Sequence, residues 1–277
     1  MFPQGADKNP YPTQMVLMLG DGEGAFNVGS YLKNYDFYQT VVGDFNGDGK
    51  LDLITRGKTH FSLFLGNGDG TFHHSRDYPY VDLAAQMVAG DFNNDGKLDL
   101  LLYEAPIFGT NMGFAVNVLL GNGDGTFKAP LAVASFPTAA GCNASGVQGD
   151  LLLSDFNADG KLDLAFCNQT QIGVMMGNGD GTFQQAVFYN AGTHQQFAFA
   201  IGDVNSDGKL DLLVSRYDNV NDTQFEIFLG NGDGTFQSPQ TSHQVSAYFG
   251  FVLGDFNSDG VLDFLAPSGG GMQAYIQ

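Results

Sequence analysis

One eleven-residue segment decides most of what this chain can become: Gly43 to Leu53 reads GDFNGDGKLDL, and near-copies of its core begin again at Asp91, Asp155, Asp203 and Asp255. A second motif alternates with it, GNGDGTF at Gly66, Gly121, Gly177 and Gly230, with a looser copy, GDGEGAF, at Gly20. Self-similarity over tens of residues marks a chain assembled from stacked units, none of which buries its apolar faces alone.

Short apolar runs lie between the motifs, among them Leu51-Asp-Leu-Ile-Thr, Phe61-Ser-Leu-Phe-Leu, Asn117-Val-Leu-Leu and Ile172-Gly-Val-Met-Met. Their length and composition predict strands. Asn-Gly-Asp-Gly between two such runs predicts a hairpin, because glycine and asparagine tolerate positive φ. Each unit then holds four strands, A to D, with the first motif joining A to B and the second joining C to D. With 39 glycines and only 15% charged residues, a helical bundle is excluded.

The expected fold is all-β, a β-propeller of four-stranded antiparallel blades. Phe72, Phe127, Phe183 and Phe236 follow the C-D turn in one register and are predicted to pack between blades. Asp44 and Asp255 are 211 residues apart over four intervals, which favours five blades. Residues 14–277 then form a single propeller domain behind an N-terminal tail, 1–13, with the last blade completed by the N-terminal strands. Met15 to Leu19 resembles strand C and Ala25 to Tyr31 strand D, but Met272 to Gln277 also resembles a strand C. Six blades, or a fragment of a longer array, is the alternative.

Of the 30 acidic residues only Glu23, Glu104 and Glu226 are glutamate. Aspartate is the shorter carboxylate, suited to turns and to oxygen cages around hard cations. The first motif spaces its donors accordingly: Asp, Asn, Asp and Asp at positions 1, 3, 5 and 9, with Gly at 6 and a main-chain carbonyl at 7. The predicted Ca²⁺ sets are Asp44, Asn46, Asp48, Lys50 and Asp52; Asp91, Asn93, Asp95, Lys97 and Asp99; Asp155, Asn157, Asp159, Lys161 and Asp163; Asp203, Asn205, Asp207, Lys209 and Asp211; and Asp255, Asn257, Asp259, Val261 and Asp263. The residue at position 7 contributes only its carbonyl in this reading, so its side chain is expected to be immaterial. Three carboxylates in one loop repel one another unless a cation lies between them. About five Ca²⁺ ions are expected, and Mg²⁺ is disfavoured because it demands near-octahedral geometry and retains water. The GNGDGTF motif has one acidic side chain and reads as a turn, without a metal role.

Asp-Phe-Asn-x-Asp-Gly-Lys-Leu-Asp followed by Gly-Asn-Gly-Asp-Gly-Thr-Phe resembles the FG-GAP/VCBS repeat family, over the chain from about Met15 onward. The resemblance implies an integrin α-like propeller with Ca²⁺ in the A-B loops. It also implies relatives among propeller lectins and the domains of secreted polysaccharide-degrading enzymes. Integrin propellers have seven blades with several loops lacking calcium, whereas this chain has five units with every loop filled.

The formal charge of -19 and pI near 4.2 oppose binding to nucleic acid. No apolar run reaches the length of a membrane span, so no membrane insertion is expected. A ligand is expected on the face opposite the A-B loops, where B-C and D-A connections vary. Tyr103, Phe108, Tyr217, Asp218 and Asn221 offer rings and polar groups there for a sugar. Cys142 and Cys167 are expected toward that same face as a disulfide, which with calcium loops suggests a secreted or extracellular location. His73, His74, Arg76 and Tyr78 cluster in one strand D, with His194 and His243 in D-A connections, but no triad-like spacing joins them. The expectation is a non-catalytic, calcium-stabilised, lectin-like binding or adhesion module for glycan or protein. A polysaccharide lyase or hydrolase domain and a structural spacer are the alternatives.

Overall fold

The computed structural model describes residues 14–33, 37–57, 60–79, 85–104, 114–136, 151–168, 171–191, 196–218, 222–241, 251–268 and 271–275. Among them all regular structure is strand. A hairpin, β1 (Gln14–Gly20) and β2 (Phe26–Lys33), comes first. Four four-stranded sheets follow. The first is β3 (Gln39–Gly43), β4 (Asp52–Arg56), β5 (His60–Gly66) and β6 (Phe72–Pro79); the second is β7 (Ala85–Gly90), β8 (Asp99–Glu104), β9 (Phe114–Leu119) and β10 (Leu131–Phe136). The third is β11 (Leu151–Ser154), β12 (Asp163–Asn168), β13 (Gln171–Met175) and β14 (Val187–Asn190); the fourth is β15 (Gln196–Gly202), β16 (Asp211–Asp218), β17 (Asp222–Phe228) and β18 (Gln240–Thr241). A three-stranded sheet, β19 (Val252–Gly254), β20 (Asp263–Ser268) and β21 (Gly271–Tyr275), ends the series.

In every sheet the strands lie in chain order, and the pairs whose registers are described are antiparallel. This is the blade topology that two successive hairpins produce. The first motif supplies each A-B bend and the second each C-D turn, as the spacing predicts. The last sheet is arranged differently from the sequence expectation. β21 pairs with β20 as its third strand, while β1 pairs with β2.

The chain divides into two compact units, one of Met1–Asp91, Asp95–Tyr103 and Val118–Pro130, the other of Phe92–Asn94, Glu104–Asn117 and Leu131–Gln277. Within the first, Phe45, Ile54, Phe61 and Leu63 pack against Met87, Leu100, Leu102 and Leu119. Gln39 reinforces this packing through its side-chain amide, which donates to the Met87 carbonyl at 2.9 Å and accepts the Met87 N–H at 2.7 Å. Within the second unit, Phe156, Ala165, Ile172 and Val174 pack against Leu212, Val214, Phe228 and Phe236. Each large apolar side chain so buried contributes roughly 1.5–3 kcal/mol, and period-two alternation along the strands is what aims it at the neighbouring sheet.

Three of the four predicted phenylalanines meet a ring of a neighbouring sheet, and Phe72 is half-buried. Phe127 meets Phe45, Phe61 and Tyr78 edge-on, and Phe236 meets Phe156 and Tyr189 in the same way. Phe183 lies 5.9 Å from Phe92.

Candidate calcium loops

Each A-B bend closes on its own backbone. The first aspartate of every loop accepts N–H bonds from the fifth and sixth residues: Asp44 from Asp48 and Gly49, Asp91 from Asp95 and Gly96, Asp155 from Asp159 and Gly160, Asp203 from Asp207 and Gly208, Asp255 from Asp259 and Gly260. The third residue turns its carbonyl oxygen the same way, with Asn46, Asn157, Asn205 and Asn257 accepting from the aspartate two positions on. Asn93 belongs to the second loop, between β7 and β8. The fourth position needs a left-handed backbone. Gly47 provides it at φ 74°, whereas Asn94, Ala158, Ser206 and Ser258 adopt it at φ 56° to 64°.

The ninth-position aspartates are the most enclosed polar groups among the described residues. Asp52, Asp99, Asp163, Asp211 and Asp263 have no exposed surface. Asp163 accepts the Phe156 N–H on Oδ2 and the Gly177 N–H on Oδ1, both at 2.8 Å. Asp52 and Asp211 repeat the pair with Phe45 and Gly66, and with Val204 and Gly230. Burial pushes the carboxyls of Asp52, Asp163 and Asp211 above the ordinary aspartate value, and these N–H bonds only partly offset it. The neighbouring charges of the first and fifth aspartates push the same way, Asp159 and Asp155 on Asp163, for example.

The loops therefore hold three mutually repelling carboxylates and an amide oxygen within nine residues, a donor set that suits Ca²⁺. Among the described residues no three acidic, His or Cys side chains are drawn together into a metal cage. Their oxygens face loop amides, but a carboxylate oxygen keeps a second lone pair when it accepts one N–H. The set fits the ion by chemistry.

Position 7 departs from expectation. Its side chain is not immaterial: Lys50, Lys97, Lys161 and Lys209 lie against Gly68, Gly123, Gly179 and Gly232 of the C-D turn, and their ammonium groups reach the fifth-position aspartates at 3.6, 3.9, 3.1 and 3.4 Å. Val261 takes this position in the last loop, the one that no GNGDGTF motif follows. The lysine belongs to the joint between A-B loop and C-D turn, which sequence reading missed although the two features occur together.

The C-D turns carry their own network. Asp69, Asp124, Asp180 and Asp233 each accept the N–H and hydroxyl of the threonine two residues on. The turn reading of this motif is thereby explained: its acidic side chain is committed to its own loop.

The suggested ligand and catalytic residues fare differently. Tyr103 is buried in the second sheet and presents no ring to solvent. Leu100, Leu101 and Leu102 before it in β8 are buried in succession, and Tyr103 extends that run. Phe108, Asn221, Cys142, His194 and His243 lie outside the described residues, as do the side chains of Tyr217, Asp218 and Cys167. Tyr78 stacks on Phe61 at 4.7 Å and donates its hydroxyl to the Gly125 carbonyl at 2.6 Å, a packing role. A bulge between Leu63 and Phe64 changes the register, pairing Leu63 with Arg76 and Phe64 with His74. His74 is thereby carried to the opposite face from Arg76 and Tyr78. There its Nε2 meets Asp77 Oδ1 at 2.8 Å, the Ser62 hydroxyl donates to the same oxygen at 2.7 Å, and His60 lies 3.9 Å away. Burial raises the Asp77 carboxyl, yet Ser62, His74 and His60 together leave it below the ordinary value. His73 is apart, 3.3 Å from Asn67. The four-residue His/Arg/Tyr grouping is not assembled.

Fold and loops together define a repeat protein of blade-like four-stranded sheets, each carrying an aspartate-rich A-B bend. The FG-GAP-like repeat family matches at residues 44–102, 155–214 and 203–266, more than half of the chain, and the chain belongs to that family. No curated protein sequence matches it. Among solved structures, a lectin of Agrocybe aegerita that recognises non-reducing terminal N-acetylglucosamine superposes with a TM-score of 0.60 at 20% identity, over 94% of this chain and 73% of the lectin. That likeness is one of fold. An exo-β-1,3-galactanase of Phanerochaete chrysosporium (TM-score 0.44, 10% identity, 75% of this chain and 50% of that one) is more distant. So is an endo-arabinase of Bacteroides thetaiotaomicron (0.44, 14%, 86% and 92%).

Proposed function

We propose that this chain is a secreted, non-catalytic glycan-binding module of β-propeller type, stabilised by about five Ca²⁺ ions in its A-B loops. The observation that carries the reading is the fivefold recurrence of the Asp/Asn/Asp/Asp donor set, each ending in a fully buried aspartate. A cation among those carboxylates would relieve their repulsion and stabilise the folded form by mass action. The oxygen sets of the five loops, with the position-7 carbonyls of Lys50, Lys97, Lys161, Lys209 and Val261, would hold the ions. The glycan assignment is supported by the fold shared with the Agrocybe aegerita lectin. In this reading the ligand takes the face of the B-C and D-A connections, away from the metal. A disulfide between Cys142 and Cys167 would brace those connections.

Calorimetric titration of chelated protein with Ca²⁺ tests the first half. Saturable uptake of several ions per chain and a higher melting temperature are expected, and coincident melts with and without Ca²⁺ refute it. A glycan array, run beside a reducing-sugar and unsaturated-product assay, tests the second. Binding without turnover is expected; turnover would reassign the chain to a polysaccharide-degrading class, and silence in both assays would remove the glycan.

A further inference from the structure

Two C-D turns are held between neighbouring A-B loops. The turn of the second sheet, Gly121 to Phe127, touches the first loop on one side: the Gly125 N–H donates to the Phe45 carbonyl at 2.9 Å, a Cβ on Gly125 would lie 3.9 Å from that of Asn46, and the ring of Phe127 meets Phe45 at 6.1 Å. On its other side it grips its own loop, where the Gly121 N–H donates to Asp99 Oδ1 at 2.7 Å and Gly123 lies under the stem of Lys97. All of these residues belong to the first compact unit.

The turn of the third sheet, Gly177 to Phe183, repeats the arrangement with residues of the second unit. The Gly181 N–H donates to the Phe92 carbonyl at 2.9 Å, and Phe183 lies 5.9 Å from Phe92. The Gly177 N–H donates to Asp163 Oδ1 at 2.8 Å, and Gly179 lies under Lys161. The Asn94 side-chain amide also donates to the Gly160 carbonyl at 3.3 Å, which joins the second loop to the third directly.

These contacts fall among the donor positions. Phe45 and Phe92 stand between the first and third donors of their loops; Asp99 and Asp163 are ninth donors, and Lys97 and Lys161 occupy position 7. Without a cation the three carboxylates of a loop repel one another, so an ion would fix the loop backbone. Fixing the first loop fixes the Phe45 carbonyl and the turn bonded to it, and with that turn the Gly121 N–H on which Asp99 rests.

We propose that neighbouring loops bind Ca²⁺ with positive cooperativity, the C-D turn coupling the first loop to the second and the second to the third, a coupling that rests on the calcium reading of the loops. An ion in one loop orders the shared turn, so the next ion has fewer groups to order and binds more tightly. Through-space charge acts the other way, because the first ion weakens the negative potential that attracts the second. In physiological salt that field is screened over about 8 Å, whereas contact through the turn is not.

Amide NMR of the isotope-labelled chain during a Ca²⁺ titration in physiological salt tests it, with the Gly121 N–H reporting the second loop. Asp48→Asn removes a carboxylate donor from the first loop while keeping the side-chain shape, and the Gly121 midpoint is expected to move to roughly fivefold higher Ca²⁺. Asp207→Asn removes the same charge from the fourth loop and is expected to leave that midpoint in place. Phe127→Leu alters no donor and no charge but loosens the turn against Phe45; in its presence Asp48→Asn is expected to shift the midpoint by roughly twofold or less. Near-ultraviolet circular dichroism verifies folding, and the contrast between Asp48→Asn and Asp207→Asn stands without the core variant. An unmoved midpoint in Asp48→Asn, an equal shift in Asp207→Asn, or a full shift beside Phe127→Leu overturns the coupling and leaves calcium binding intact. A Gly121 amide indifferent to Ca²⁺ overturns the calcium reading of the second loop, and the coupling with it.

Discussion

Asp163 and Gly177, fourteen residues apart, are joined by a buried hydrogen bond in which the glycine N–H donates to Asp163 Oδ1 at 2.8 Å. The same bond links Asp52 to Gly66, Asp99 to Gly121 and Asp211 to Gly230. It fastens each A-B loop to the C-D turn of its own sheet. The glycine is required by close approach, since a Cβ on Gly177 would collide with the Leu162 carbonyl oxygen.

Asp163→Ala strands two buried N–H groups, those of Phe156 and Gly177, each costing about 1–3 kcal/mol. A loss of about 2–5 kcal/mol in urea unfolding is expected, with Gly177→Ala comparably harmful. A change below about 0.5 kcal/mol, the range of ordinary surface substitutions, would show that the clasp is not structural.

Ala158 holds φ 58° where the first loop has Gly47. A left-handed alanine costs roughly 1–2 kcal/mol, and part of the gain from glycine is returned as entropy of the unfolded chain. Ala158→Gly is therefore expected to stabilise by about 0.5–1 kcal/mol, seen as a raised unfolding midpoint at unchanged slope; a lowered midpoint contradicts the assignment.

The threonine hydroxyl and N–H bonds hold Asp69, Asp124, Asp180 and Asp233 below the ordinary aspartate value of 3.8. The unfolded chain then takes up protons at higher pH than the folded one. The stabilisation is complete above the unfolded value and disappears as pH falls through the folded values. The contribution of these turns to the melting temperature is expected to be lost below about pH 4, opposed by the raised carboxyls of Asp52, Asp163 and Asp211, and Asp124→Asn should remove its share of that acid loss. An unaltered acid loss in the variant would show that this turn is not its source.

Lys161 places its ammonium 3.1 Å from Asp159, a carboxylate proposed above as a Ca²⁺ ligand. Ion and lysine then compete for one group. Lys161→Met keeps the stem against Gly179 and removes the charge. The third loop is expected to bind Ca²⁺ roughly two- to fivefold more tightly, because partly exposed pairs of this kind contribute about 0.2–1 kcal/mol. Equal or weaker binding in calorimetry would place Asp159 outside the coordination sphere.

The Asp-x-Asn-x-Asp-Gly bends, the Asn-Gly-Asp-Gly turns and the strands between them were legible because each is decided within a few residues. Positive φ at a named position, an aspartate reaching an amide two to five residues on, and period-two alternation all act locally. The partner of Lys161 was not legible, since Gly179 reaches it only after strands β12 and β13 have folded back. Nor was the separation of His74 from Tyr78: even spacing along β6 puts both on one face, and the bulge opposite Leu63 and Phe64 reverses that for His74.

Sequence alone thus determined the repeat, the all-β class and the composition of the oxygen sets, for they follow from short-range geometry repeated along the chain. Tertiary structure decided that the ninth aspartate is enclosed by loop and turn amides, that Tyr103 is core, and that His74 stands apart from Tyr78. Those outcomes depend on which sheet stands beside which, and neighbours are chosen by register and packing over distances that no local pattern encodes.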